Sequence, residues 1–113
     1  MSEYNPDVWV MLKFTHGEQT TYKVLAGWYG GYLNGDSWKL NSGVTAVEVD
    51  ADGYLCFSGY SGSVYRCHPN CYRMSGMTSS IYESFVKKVE TGEGVNMELM
   101  PETTDFANIK YED

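Results

Sequence analysis

Short runs of alternating residues, separated by turns that contain Gly, Asn or Asp, constrain the fold of this chain more than any other feature. Residues 8–14 read VWVMLKF, with Val, Leu or Phe at every second position, which is the period of a strand with both faces partly covered. A turn at 15–18 and a returning strand at 20–25 complete a predicted hairpin. Further runs predict strands at 29–33, 37–40, 44–49, 54–57, 63–67 and 95–100. This spacing predicts a curled antiparallel sheet, or a small barrel, of about five to seven short strands.

Residues 80–91 have the pattern of a single amphipathic helix. Ser80 and Glu83 match the S-x-x-E capping box, in which each side chain accepts a hydrogen bond from an otherwise unpaired backbone N–H. Ile81, Phe85 and Val89 recur at helical spacing and predict an apolar stripe that packs on the sheet. Gly92 is predicted to cap the C-terminal end. One packed helix on an antiparallel sheet predicts the α+β class.

Length and charge predict one domain over residues 1–101, followed by a loosely attached acidic tail at 102–113. The net charge is −7, and residues 83–113 carry eight acids against three lysines. Such a field repels phosphate backbones, so we do not expect direct binding to nucleic acid. The acidic surface is explained either by solubility or by a negative patch that meets a basic partner, including as a mimic of nucleic acid.

The N-terminal residues lack a basic start and a long apolar run. We therefore expect no signal peptide, no membrane-spanning segment and a cytoplasmic location in which the three cysteines stay reduced. An exposed edge strand would also allow a homodimer.

The stretch between residues 28 and 38 is unusually rich in aromatic residues and glycine. Asn34-Gly35 predicts a two-residue hairpin turn, because both central positions of that turn need positive φ. For each ring taken singly, the core of a small barrel is the simpler explanation. So many large rings on alternating strands cannot all point inward, however, so we expect some of them to be exposed and to form a binding surface. The candidate partner- or ligand-binding residues are Trp28, Tyr29, Tyr32, Asn34, Asp36 and Trp38.

Two segments contain residues that bind metal ions in other proteins. Thiolate and imidazole are the ligands that zinc prefers, and the zinc candidates are Cys56, Cys67, His68 and Cys71. In a hairpin Cys56 and Cys67 could face each other, although Cys56 could equally be a small core residue. Residues 48–55 resemble the start of a calcium-binding loop of the EF-hand type. The twelfth position of such a loop needs a glutamate ligand, but here it is Gly59. A hairpin turn explains Asp52-Gly53 without a metal ion.

No group of residues has the spacing of a catalytic site. His16 and His68 both lie in predicted turns and have no acid at a suitable spacing, and Cys67 has no orienting partner. The glycine-rich segments lack a phosphate-loop lysine pattern. We therefore predict a protein that is not an enzyme and that needs no cofactor.

Two segments carry a family resemblance. Residues 61–68, SGSVYRCH, and residues 74–80, MSGMTSS, resemble small acidic accessory proteins of tailed bacteriophages. The resemblance implies a compact protein that binds a host protein in the host cytoplasm, often to disable a defence or to redirect an enzyme.

These observations favour a non-enzymatic interaction protein that docks on a host protein through acidic and aromatic surfaces, as an inhibitor. The alternative is a small-molecule binder that holds a nucleotide or a sugar against Trp28, Tyr29, Tyr32 and Trp38, oriented by Asn34 and Asp36. A zinc-stabilised structural domain is a third possibility.

Overall fold

The computed structural model describes residues 2–31, 35–92 and 94–111. Within these ranges the chain forms eight strands and one α-helix, with short 3-10 turns at Pro69–Cys71 and Phe106–Asn108. The strands and helix are β1 (Glu3–Tyr4), β2 (Val8–His16), β3 (Gln19–Gly31), β4 (Gly35–Leu40), β5 (Val44–Val49), β6 (Leu55–Gly59), β7 (Val64–Cys67), α1 (Gly76–Thr91) and β8 (Val95–Leu99).

The strands form two sheets of four strands each. The central sheet has the order β4-β3-β2-β8 and is antiparallel throughout. The outer sheet has the order β1-β7-β6-β5, in which β1 runs parallel to β7 and the other pairs are antiparallel. The α+β class with mainly antiparallel pairing is therefore confirmed. Within the described residues the two sheets stay separate and do not close into the barrel that was the other prediction.

The central sheet lies between the helix and the outer sheet, because β2 is apolar on both faces. Val8 to Leu12 are each no more than 2% exposed. Trp9 and Met11 pack with Phe57 and other residues of the outer sheet, whereas Val10 and Leu12 pack against the helix. The period-two alternation in residues 8–14 therefore distributes side chains between two apolar layers, as expected for a strand that is covered on both sides.

The predicted helix begins four residues too late, at residue 80 and not at Gly76. Ser75, not Ser80, is the N-cap: its Oγ accepts a hydrogen bond from Thr78 N (3.1 Å), and Thr78 Oγ1 accepts one from Ser75 N (2.8 Å). Both side chains are buried, at 4% and 1% exposure, whereas Ser80 is exposed. The helix ends as predicted, with Gly92 at the C-cap.

The absence of a side chain at Gly27 lets the helix approach the central sheet closely. A Cβ placed on Gly27 in β3 would lie 2.7 Å from Thr78 Cγ2 and 3.3 Å from Ser75 Oγ. Real Cβ atoms essentially never approach other heavy atoms as closely as 2.7 Å. Glycine at this position therefore allows the first turn of α1 to rest on β3.

The segment after Pro101 is not loosely attached where it is described, which corrects the prediction for residues 102–111. Phe106 and Tyr111 are only 4% and 7% exposed and belong to the core between the two sheets. The Phe106 ring packs edge-on against Trp9, with ring centroids 5.2 Å apart. Tyr111 contacts Tyr22 of the central sheet and Phe57 of the outer sheet. Two apolar side chains among acidic neighbours are enough to anchor the segment, because each enters the gap between the sheets.

The strands predicted at 20–25 and 29–33 are one continuous strand as far as Gly31. β3 runs from Gln19 to Gly31 and pairs with β4, with a register shift between Trp28 and Gly31. The predicted turn at Asn34-Gly35 falls partly outside the described residues, although Gly35 has the positive φ (73°) that the prediction required.

Candidate functional site

A bulge near the end of β3 sets the position of Tyr29. Gly30 has φ of 66°, in the left-handed region where glycine has no steric penalty. The register against β4 shifts at the same place. A bulge of this kind bends the strand and re-aims nearby side chains, and Tyr29 is 49% exposed.

Two carboxylates hold the bulge in place. Asp7 Oδ2 accepts a hydrogen bond from Tyr29 N (2.8 Å), and Asp36 Oδ1 accepts one from Gly30 N (3.2 Å). Two successive backbone N–H groups at the bulge are thus paired with side chains rather than with a neighbouring strand. Asp7 is in turn fixed by its own N–H, which donates to the carbonyl of Gly27 (2.9 Å). The conformation that exposes Tyr29 is therefore held from both sides.

Trp28 and Trp38 lie on opposite faces of the central sheet. Trp38 stands opposite Gly27 in the register, and its ring packs edge-on against Phe85 of α1, with centroids 6.2 Å apart. Trp28 packs against Tyr4 on the outer-sheet side, and its Nε1 donates to the carbonyl of Asn5 (3.0 Å). Trp28 is half-buried, whereas Trp38 is 40% exposed. The structure therefore does not bring the two rings together in one pocket.

The exposed part of this region combines two aromatic side chains with two acids. We call Asp7, Tyr29, Asp36 and Trp38 the aromatic end, since all four lie where β3 and β4 pair near residues 27–37. Tyr32 and Asn34, the other two candidate residues, lie outside the described residues. The sequence pattern does not identify Asp7 as a site residue, because nothing in it indicates that the segment before β2 runs beside the end of β3.

The four zinc candidates are not arranged around a common centre. Cys56 pairs with Arg66 in the β6–β7 register, and Cys67 pairs with Leu55, so the two thiols point to opposite faces of the outer sheet. His68 instead caps the 3-10 turn at 69–71, where its Nδ1 accepts a hydrogen bond from Asn70 N (3.0 Å). Burial raises the pKa of Cys67 well above the usual value of a thiol. In the parts of the chain that the structure describes, no three His, Cys, Asp or Glu side chains are placed to hold a metal ion.

The calcium-like segment is a hairpin turn tied to the neighbouring strand. Asp50 Oδ1 accepts hydrogen bonds from Asp52 N and Tyr54 N, while Asp50 Oδ2 lies 2.7 Å from Arg66 Nε. The guanidinium of Arg66 also stacks 3.7 Å from the centroid of the Tyr54 ring. Partial burial acts to raise the pKa of Asp50, but the hydrogen bonds from Tyr54, Arg66 and Asp52 outweigh it and the pKa is lowered. The Asp50 carboxylate therefore stabilises the hairpin turn itself.

Comparisons with family models, with curated proteins and with solved structures gave no significant match. In the described ranges, no helix combines the length and the apolar character needed to cross a bilayer.

Proposed function

We propose that this protein is a non-enzymatic interaction protein that binds a protein partner at its aromatic end. The observation that carries the proposal is the exposure of two large aromatic residues, Tyr29 and Trp38, on the paired strands β3 and β4. The carboxylates of Asp7 and Asp36 lie in the same region, where they accept hydrogen bonds from the backbone of the bulge. Tyr and Trp are the residues that most often dominate binding energy at protein interfaces. Exposed apolar residues that form a contiguous patch often mark a protein interaction site.

The aromatic end is held rigidly enough to act as a preformed surface. The bulge under Tyr29 is fixed by Asp7 and Asp36, and Trp38 rests on Phe85 of the helix. Side chains that are already ordered lose little conformational entropy on binding. The Trp38 ring and the backbone that carries Tyr29 therefore need little further ordering on binding.

The charge of the protein indicates the chemistry of the partner. The net charge of −7, together with Asp7 and Asp36 at the aromatic end, favours a partner with Lys and Arg around an apolar pocket. Association with such a partner should slow as salt is added, because long-range attraction is screened. A partner that normally binds nucleic acid would have this surface, and the protein would then act as a mimic.

The resemblance to accessory proteins of tailed bacteriophages supports two finer proposals. The partner is a host protein, met in the host cytoplasm, and binding inhibits it. The competing idea of a nucleotide or sugar held against Trp28, Tyr29, Tyr32 and Trp38 has less support, because the Trp28 and Trp38 rings lie on opposite faces of the central sheet.

The test is affinity capture from a bacterial host lysate, followed by titration of the purified pair. Tyr29→Ala and Trp38→Ala should each weaken binding by about 30-fold or more, the loss typical of interface hot spots. Tyr60→Ala is the matched control, because Tyr60 is 63% exposed and lies in the β6–β7 turn, away from the aromatic end. Circular dichroism must show that each variant is folded.

The expected result is one stoichiometric partner whose binding depends on Tyr29 and Trp38 but not on Tyr60. The proposal is refuted if no stoichiometric partner is captured, or if the three variants weaken binding equally. Added salt should lower the association rate more than it raises the dissociation rate.

A further inference from the structure

A second candidate site lies at the other end of β3, near Gln19. A cleft of about 560 Å³ opens there between the β2–β3 hairpin, the β6–β7 turn and the segment near residue 110. This volume falls in the range of small-molecule sites, about 300–1,000 Å³. We propose that the cleft binds a nucleoside monophosphate, or a ligand of the same chemistry, with a planar ring and a phosphate.

The cleft has a small positive excess in an acidic protein, with two lysines against the single acid Glu18. Lys13 and Lys110 both line it. Lys13 stands opposite Tyr22 in the β2–β3 register, and the Tyr22 ring contacts Tyr111 in the gap between the sheets, so Lys13 lies on the face toward the cleft. Among the described residues, neither ammonium has a carboxylate oxygen within 4.0 Å, although Glu98 of β8 is paired with Lys13 of β2 in the sheet register. Two ammonium groups in one cleft are suited to a phosphate.

The side chain of Tyr60 offers a flat surface at the rim of the same cleft. Its ring lies over Gly43, where an added Cβ would be only 2.8 Å from ring carbons, and Gly43 has φ of 132°. Tyr60 N donates to the carbonyl of Gly43 (3.1 Å), and Ser61 N donates to Ser42 Oγ (3.0 Å). The ring is thus seated on one side, yet 63% of the residue is exposed. A fixed, exposed aromatic ring is a stacking platform for a base.

The remaining lining is polar and suits a sugar. Thr20 and the phenol of Tyr22 provide hydroxyl groups, and Glu18 provides a carboxylate that can accept hydrogen bonds from a ribose. The proposal therefore has three parts: phosphate at Lys13 and Lys110, base against Tyr60, and ribose between them.

The probes are adenosine 5′-monophosphate, uridine 5′-monophosphate, adenosine and inorganic phosphate, titrated into the full chain by calorimetry and by NMR. We expect both monophosphates to bind, with adenosine and phosphate each at least about tenfold weaker. Lys13→Gln and Lys110→Gln should each weaken binding about tenfold or more, the effect of losing one charged hydrogen bond. Tyr60→Ala should weaken binding, and Tyr60→Phe should retain it, because the ring and not the hydroxyl is used.

Lys87→Gln is the matched control, since it removes the same charge from an exposed position on α1. It should leave affinity unchanged, and amide shifts on ligand addition should fall on residues 18–22 and 60–62. The proposal is overturned if neither monophosphate binds at millimolar concentration, if phosphate alone binds as tightly as the monophosphates, or if Lys87→Gln weakens binding as much as Lys13→Gln. None of these variants changes the aromatic end, so failure here leaves the proposed protein interaction standing.

Discussion

The N-cap of α1 gives the sharpest test of how this helix is anchored. Replacing Ser75 by Ala removes the Oγ that accepts a hydrogen bond from Thr78 N. Loss of an N-cap side chain usually costs about 1 kcal/mol, within a range of about 0.5–2 kcal/mol. Ser75 is only 4% exposed, so water cannot easily replace the lost acceptor. A buried N–H without a partner costs about 1–3 kcal/mol, and we therefore expect Ser75→Ala to cost about 2 kcal/mol.

Ser80→Ala is the control that the sequence itself supplies. Ser80 matches the S-x-x-E pattern, but it is exposed within the helix. Alanine has a higher helix propensity than serine by a few tenths of a kcal/mol, up to about 0.5. Ser80→Ala should therefore leave the free energy of unfolding unchanged or raise it slightly.

The measurement is urea unfolding followed by circular dichroism and by tryptophan fluorescence. Ser75→Ala should lower the midpoint without changing the slope, and should lower Tm by roughly 8 °C, at about 4 °C or more per kcal/mol. Thr78→Val removes the reciprocal acceptor of the Ser75 N–H. The double variant should cost less than the sum of the two single variants, because both side chains belong to one capping box. The reasoning fails if Ser80→Ala costs as much as Ser75→Ala.

Three further predictions concern packing, a buried hydroxyl and acid stability. Gly27→Ala should destabilise the fold by about 1–3 kcal/mol, as overpacking does, because the new Cβ would lie 2.7 Å from Thr78 Cγ2. Gly76→Ala is the control, because a Cβ at that position has no heavy atom within 4 Å. Equal urea midpoints for the two variants would contradict the close approach of the helix to β3. Tyr72→Phe should cost about 1–3 kcal/mol, because the Tyr72 hydroxyl accepts from Met11 N and donates to the carbonyl of Met100; urea unfolding that matches wild type would show that these groups find other partners. The lowered pKa of Asp50 stabilises the fold fully above about pH 4–5, and this stabilisation is lost as the pH falls toward the lowered value. The stability difference between wild type and Asp50→Asn should therefore shrink below about pH 4, and a difference that stays constant from pH 6 to about pH 2 would contradict this.

Local patterns predicted the parts of the fold that depend on neighbouring residues. The alternation in residues 8–14 identified β2, and the run at 44–49 identified β5, because these patterns lie within the strands themselves. The helix start was missed because Ser75 and Thr78 cap each other without the acidic residue that the pattern requires. A nearby serine and glutamate satisfied the pattern on an exposed face instead.

Contacts between distant segments were beyond the reach of local patterns. No local signal shows that β2 pairs with β8, or that Phe106 and Tyr111 enter the gap between the sheets. The exposed aromatic residues were expected somewhere between 28 and 38, but their division between two faces depends on the register with β4 and on the bulge at Gly30. The cleft at Lys13 was missed altogether, because its residues come from three separate parts of the chain.

The position of β2 within the central sheet has a consequence for how the chain reaches its native state. Residues 8–12, VWVML, carry no charge and have high β propensity, which are the properties of segments that aggregate when an edge is left open. One edge of β2 is covered by β3, which follows at once. The other edge is covered by Tyr72, Arg73, β8 and Met100, which come at least fifty residues later. Until those segments dock, the most apolar strand has an open side, so conditions that delay docking of β8 should favour self-association over folding.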